Sequence, residues 1–252
     1  MQPGRSLIDL YIVLKHIIMH LSTQKLFTVI LAILVGHLAM AQRTSRDVGE
    51  FRGVSLGVSA DLYITQGNNS SVVIEASDEV QEHIETKVRD GVLIIKQDDD
   101  WKWWKNWSSK NVKIYITNPA FEHVAVSGSG DISGENTLQS KEMYLAVSGS
   151  GKVNLDIKVV DLDSKISGSG NMNLAGTARN TIMQISGSGN LNAEDLASEN
   201  CQVRISGSGN CRVQVGTSLE SRVSGSGNVY YKGNPEKLSN HSSGSGSIKK
   251  IG

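Results

Sequence analysis

Apolar and polar residues alternate through the second half of the chain, and one tetrapeptide interrupts the alternation at regular intervals. Met143, Leu145 and Val147 precede one copy, and Val153 and Leu155 follow it; Cys201, Val203 and Ile205 precede another, and Cys211 and Val213 follow. A period of two predicts β-strands, because successive side chains point to opposite faces. The tetrapeptide is Ser-Gly-Ser-Gly, starting at Ser127, Ser148, Ser167, Ser186, Ser206, Ser224 and Ser243, so that successive starts lie 21, 19, 19, 20, 18 and 19 residues apart. Parity survives passage through it. Counting from Ile205, the inward positions are Gly207, Gly209, Cys211 and Val213, and the outward ones are Ser206, Ser208, Asn210 and Arg212. The glycines thus fall where a wall bends or another backbone comes close, and the serines fall outside.

A period of this length predicts a solenoid in which each strand stacks on its equivalent in the next coil, ~4.8 Å away. The expected fold is all-β: a right-handed parallel β-helix with coils of about 19 residues marked by the tetrapeptide. An antiparallel barrel or sandwich of repeated hairpins is the competing arrangement. Stacking would line up Asp131, Lys152, Asn171, Asn190, Asn210, Asn228 and Ser247 in one file, and asparagine suits a corner. Residues 50–126 lack the tetrapeptide but also read as strands, over Ala60 to Gln66, Ser71 to Ala76, Gly91 to Gln97 and Val112 to Thr117, with a short helical turn over Val80 to Ile84. Gly57-Val58-Ser59-Ala60-Asp61-Leu62 parallels Ser127-Gly128-Ser129-Gly130-Asp131-Ile132, which predicts a degenerate coil of the same solenoid in residues 50–126, before the regular coils of 127–252. Nothing near Ser247 to Gly252 reads as a helical cap, so an open C-terminal edge there would favour edge-to-edge pairing of two copies.

The N-terminal segment reads differently. Lys25 is followed by an apolar run from Leu26 to Leu38 and then by Ala39-Met40-Ala41, the layout of a secretory signal peptide with cleavage after Ala41 and Gln42 as the first mature residue. Met19 is an alternative start. The run is shorter than the ~20 apolar residues a membrane span needs. Residues 1–41 hold three of the 25 basic residues (Arg5, Lys15, Lys25) and one of the 25 acidic (Asp9), leaving 22 basic against 24 acidic residues, a formal charge of −2. That balance gives no electrostatic case for nucleic acid. Residues 42–252 therefore read as one exported solenoid domain, destined for the periplasm, the outer surface or the medium, without a transmembrane span.

Candidate chemistry is sparse. His83, His123 and His241 lie far apart without metal-ligand spacing, and no metal site or cofactor is expected. The glycines never complete G-x-G-x-x-G, since Ser133, Asn154, Asn173, Asn192, Arg212 and Tyr230 stand where the last glycine would be, nor do they form a G-x-S-x-G elbow. No catalytic residue is nominated. Asp161 and Asp163, like Asp98-Asp99-Asp100, read as solvated turns or as loose Ca²⁺ ligands. The two cysteines, Cys201 and Cys211, face inward on either side of one tetrapeptide; they either bridge the lumen as a disulfide, which export permits, or fill the positions taken in the previous coil by Met183 and Leu191. The conspicuous segment is Trp101-Lys102-Trp103-Trp104-Lys105-Asn106-Trp107, which holds all four tryptophans of the chain. Trp101, Trp103, Trp104 and Trp107 either cover a flank of the solenoid or form a loop whose indoles stack on sugar rings or anchor a protein partner.

Phe51-Arg52-Gly53-Val54, Asp61-Leu62-Tyr63-Ile64-Thr65-Gln66-Gly67, Val92-Leu93-Ile94-Ile95 and Val112-Lys113-Ile114-Tyr115-Ile116-Thr117, leading into Val126-Ser127-Gly128-Ser129-Gly130-Asp131, resemble the putative auto-transporter adhesin, head GIN domain family over roughly residues 50–250. The resemblance implies a β-helix at the cell envelope or surface and brings no catalytic residues. The expected function is a non-enzymatic, adhesin-like binding module for a glycan or surface protein. The alternatives are a β-helix enzyme acting on polysaccharide, which would need acidic or basic residues gathered in a groove, and a structural protein that self-associates through its edge.

Overall fold

The computed structural model describes Lys15, residues 42–98 and residues 112–252. The signal-peptide reading of residues 1–41 and the four tryptophans fall outside the described residues. Residues 42–252 form one compact unit. It is a β-solenoid of about seven turns, and the described residues are 72% strand against 3% helix, which makes the fold all-β.

The first part contains β1 (Gln42–Ser45), β2 (Gly53–Leu56), β3 (Asp61–Gln66), β4 (Ser71–Ala76), α1 (Asp78–Glu82), β5 (Ile84–Arg89), β6 (Val92–Gln97), β7 (Lys113–Asn118), β8 (His123–Gly128) and β9 (Asp131–Gly134). The regular part contains β10 (Leu138–Gly149), β11 (Lys152–Gly168), β12 (Asn171–Gly187), β13 (Asn190–Gly207), β14 (Asn210–Gly225), β15 (Asn228–Lys232), β16 (Lys237–Ser243) and β17 (Ser247–Lys250). Each of β11 to β14 starts directly after one tetrapeptide and ends on the first glycine of the next.

Neighbouring coils are parallel and in register, copy on copy. Ser148 lies beside Ser167, Ser167 beside Ser186, Ser186 beside Ser206 and Ser206 beside Ser224. Val126, Val147, Ile166, Ile185, Ile205 and Val223 stack as one buried file before the corner, and Ile132, Val153, Met172, Leu191, Cys211 and Val229 as another after it. Apolar burial along these files supplies most of the cohesion, because each coil exposes its inner face unless a neighbour covers it.

The two glycines of the tetrapeptide do different work. Gly207 has φ +127°, a conformation that bends the strand at the corner and that side chains resist. Gly209 has an ordinary backbone but no room: a Cβ there would lie 2.3 Å from the Gly189 carbonyl oxygen and 2.6 Å from Ile185. The Gly187 carbonyl accepts from both Ser208 N–H (2.9 Å) and Gly209 N–H (3.0 Å), so the bend keeps its backbone groups paired.

The predicted file from Asp131 to Ser247 forms a hydrogen-bonded ladder from Asn171 onward. Asn190 donates to Asn171 (3.1 Å), Asn210 to Asn190 (3.0 Å) and Asn228 to Asn210 (3.0 Å), while Ser247 Oγ donates to Asn228 (2.7 Å). A second ladder on another face links Ser218 to Asn200 (2.8 Å), Asn200 to Asn180 (3.0 Å) and Asn180 to Asp161 (2.8 Å). Each rung is worth about 1 kcal/mol at most in such exposed positions, and together the rungs hold the register. Coils of unequal length keep that register because the extra residues are absorbed in bulges away from the tetrapeptide, between Asn173 and Ala175 and between Ala193 and Ala197.

The parallel of Gly57–Leu62 with Ser127–Ile132 is realised strand by strand: Leu56 pairs with Val126 and Asp61 with Asp131. The stacking order, however, differs from chain order. The coil of β2 and β3 is sandwiched between that of β6 and β7 and that of β8 and β9. At the N-terminal end β4 lies antiparallel on β7, β1 antiparallel on β4, and β5 antiparallel on β6. The buried Gln81 of α1 ties this cap down by donating to the carbonyls of Gln42 (2.6 Å) and Ala76 (3.0 Å). At the other end, β16 and β17 each pair on one side only among the described residues, with β14 and β15.

One expected equivalence is corrected. Cys211 takes the position of Leu191, but Cys201 stands in register with Thr181, not Met183. Both precede their tetrapeptides by five residues. A polar threonine tolerates that inward site because its hydroxyl donates to the Asn200 carbonyl (3.3 Å).

Candidate functional site

The tryptophan segment joins β6 to β7. Leu56 at the end of β2 pairs with Ile95, and Asp61 at the start of β3 pairs with Lys113. In chain order the segment between Gln97 and Val112 links β6 to β7, as Gly57–Ala60 links β2 to β3 and the tetrapeptide at Ser127 leads from β8 to β9.

Described residues around its two ends form a polar and aromatic rim. Asp98 N–H donates to the His83 carbonyl (2.9 Å), and the Asp98 carboxylate lies 3.8 Å from the His83 ring. Asp61 N–H donates to the Val112 carbonyl (3.0 Å) where the chain rejoins the wall. Three residues after Val112, Tyr115 stacks on Tyr63 with ring centroids 5.3 Å apart, and the Arg43 guanidinium lies 5.3 Å from the Tyr115 centroid while pairing with Glu75 at 2.7 Å. An aromatic surface backed by a cation suits flat, weakly polar groups. A similar stack stands on another face: His123 on Tyr144 (5.0 Å), with the Lys165 ammonium 5.8 Å from the Tyr144 centroid. Burial lowers the His123 pKa, so the ring is neutral at pH 7 and stacks without charge repulsion from Lys165.

The cysteines are both free thiols, fully inside the wall. Cys211 donates to the Met183 sulfur at 3.8 Å. Burial pushes the Cys201 pKa up to about 12 and that of Cys211 well above its ordinary value, which removes thiolate reactivity.

Asp161 and Asp163, with Glu122 and Glu142, line a groove of about 450 Å³. Asp161 ends the Asn180 ladder and so acts as a hydrogen-bond acceptor there. Among the described residues no group of three or more His, Cys, Asp or Glu side chains could hold a metal ion, and no helix is long and apolar enough to cross a membrane.

A feature that the sequence reading missed lies beside the serine file. The outward position two residues before each tetrapeptide is Lys165, Gln184, Arg204, Arg222 and His241 in five successive coils, paired one on the next. A shallow groove of about 520 Å³ runs along it, lined also by Ile185, Ser186, Ser206 and Ser224. Aligning the repeats and reading down that column would have found it.

The fold and these surfaces define the class: a β-solenoid that presents stacked files of side chains along its wall. The chain belongs to the family described as "Putative auto-transporter adhesin, head GIN domain", which matches residues 50–235. Among solved structures it is similar to a putative adhesin from Bacteroides fragilis, with 27% identity, a TM-score of 0.80 and coverage of 84% of this chain and 98% of that one. It shares its fold with a putative lipid binding protein from Parabacteroides distasonis (22% identity, TM-score 0.69, coverage 85% and 98%) and a putative adhesin from Parabacteroides merdae (16% identity, TM-score 0.67, coverage 85% and 97%). None of the curated proteins compared matches the chain.

Proposed function

We propose that this protein is exported and acts at the cell envelope or surface as a non-enzymatic binding module, with the tryptophan segment as the part that meets a glycan or a surface-protein ligand. The observation that supports this reading is chain order: all four tryptophans lie in the segment that joins β6 to β7, where the regular coils spend only the four small residues of the tetrapeptide. A wall that needed only closure would repeat the tetrapeptide there. Tyr115, three residues after Val112, stacks on Tyr63 and offers further aromatic surface. The adhesin names of the family and of the Bacteroides fragilis relative point the same way.

Export rests on the Lys25 to Ala41 pattern. N-terminal sequencing of the protein recovered from the periplasm or medium is expected to begin at Gln42; a chain retained in the cytoplasm with residues 1–41 intact would defeat it.

The ligand reading is tested with Trp103→Ala/Trp104→Ala. If the indoles contact ligand, retention on a glycan array or by a surface partner falls ~10-fold or more, the size of a hot-spot loss, while the melting temperature stays put. The opposite pattern, a lower melting temperature with binding untouched, would mean that the indoles cover the wall.

A further inference from the structure

We propose that the groove beside the serine file binds an extended acidic polysaccharide, one carrying carboxylate or sulfate groups along its length. This proposal does not rest on the tryptophan segment. Lys165, Arg204, Arg222 and His241 all point outward at one column of the wall, with Gln184 filling the remaining coil. Neighbouring coils bring the column members within ~4.8 Å per step, so Arg204 and Arg222 lie directly opposite each other. Like charges so placed repel, and folding alone gives no reason to repeat them. An anion between them converts the repulsion into attraction.

The compensation inside the protein is incomplete. Glu220 pairs with Arg222 at 2.9 Å and accepts from Gln202 at 2.9 Å. Arg204 makes no ion pair or side-chain hydrogen bond among the described residues. Among the described residues Lys165 has only the face of Tyr144. Arg204 therefore presents its planar donor fork to solvent, the geometry that suits a carboxylate or sulfate.

The shape selects a polymer. Lys165, Arg204 and Arg222 form a file along the solenoid axis, spanning three steps or ~14 Å, and do not converge on one point as they would around a compact phosphate. The exposed hydroxyls of Ser186, Ser206 and Ser224 run parallel to the file at the same spacing and can accept from or donate to sugar hydroxyls. A linear chain with acidic groups at regular intervals meets both files at once.

The test uses the purified protein with polygalacturonate as the carboxylate probe, dextran sulfate as the sulfate probe and neutral dextran as control. The wild type is expected to bind one or both acidic polymers, with affinity that falls as salt is added, and to ignore dextran. Arg204→Gln/Arg222→Gln should lose ~10-fold or more of that affinity, equivalent to about 1.4 kcal/mol, without any drop in melting temperature. Lys158→Gln/Arg179→Gln, on a different face, should bind as the wild type does. The proposal is overturned if neither acidic polymer binds at low ionic strength, if the double arginine variant binds unchanged, or if only vesicles of anionic phospholipid bind. A loss confined to Trp103→Ala/Trp104→Ala would credit the tryptophan segment and likewise overturn the groove.

Discussion

Gly209→Val is expected to break the solenoid at the coil it occupies and to lower stability by ~3 kcal/mol or more, at or beyond the upper end of ordinary overpacking costs. The Cβ would fall 2.3 Å from the Gly189 carbonyl oxygen and 2.6 Å from the Ile185 Cγ2 atom. Ile185 is buried among the inner files and cannot swing away, and the oxygen belongs to a backbone that accepts from Asn210 N–H at 3.3 Å. Relief would require spreading two coils, which strips the hydrogen bonds on both sides of the corner. Ser208→Val, one residue earlier on the exposed side, is the control and should stay within ~0.5 kcal/mol of wild type. Gly207→Ala separates the second cause, since its φ of +127° penalises a side chain even before contact with Gly187 is counted. Urea denaturation followed by circular dichroism gives the midpoints, and hydrogen exchange locates the damage. In a stack where coils touch only their neighbours, protection should vanish first in β13 to β15 and persist in β2 and β3. A midpoint for Gly209→Val equal to that of wild type would refute the close-approach account of the second glycine.

The reasons why some features were readable from sequence and others were not are physical. The regular coils were legible because parity is a local property: alternation runs from Met143 to Val147 and resumes at Val153 with the same face inward, and one slipped residue would have turned every side chain over. The asparagine ladder followed from the same alignment, with Asn171, Asn190, Asn210 and Asn228 at equal offsets from their glycines. Stacking order was not legible. Nothing within Gly53–Leu56 states that its neighbours will be Val92–Ile95 on one side and His123–Val126 on the other. That choice is made by long-range pairing, and several apolar strands would satisfy it equally in isolation. β5 was missed although Ile84, Thr86 and Val88 alternate with Glu85, Lys87 and Arg89, because an edge strand this polar reads as a loop. The basic column was missed because its members are nearly twenty residues apart in the chain and become neighbours only once the coils are stacked. The tryptophan segment was legible as an anomaly of composition, and that it links β6 to β7 required the strand boundaries.

Alkaline pH is expected to weaken the wild type much faster than Cys201→Ala/Cys211→Ala. Burial raises both thiol pKa values, that of Cys201 to about 12, so the folded state keeps protons that the unfolded chain releases above its ordinary thiol pKa of ~8.5. Below that pH the two states bind the same number of thiol protons and stability is unaffected. Above it the unfolded state binds fewer, and stability falls as pH rises, by about 1.4 kcal/mol per pH unit for each thiol, until the folded value is reached. From pH 8.5 to pH 10 the pair would cost ~4 kcal/mol, a large share of a typical domain's stability. The double alanine variant starts lower at neutral pH because it leaves cavities beside Met183 and Leu191, so the informative quantity is the slope of urea midpoint against pH. Iodoacetamide supplies the companion measurement: at pH 8 the native protein should resist labelling and the urea-unfolded protein should take up two labels. Parallel slopes for wild type and variant, together with no labelling of the unreduced unfolded chain, would show instead that the protein carries its two sulfurs joined across the lumen.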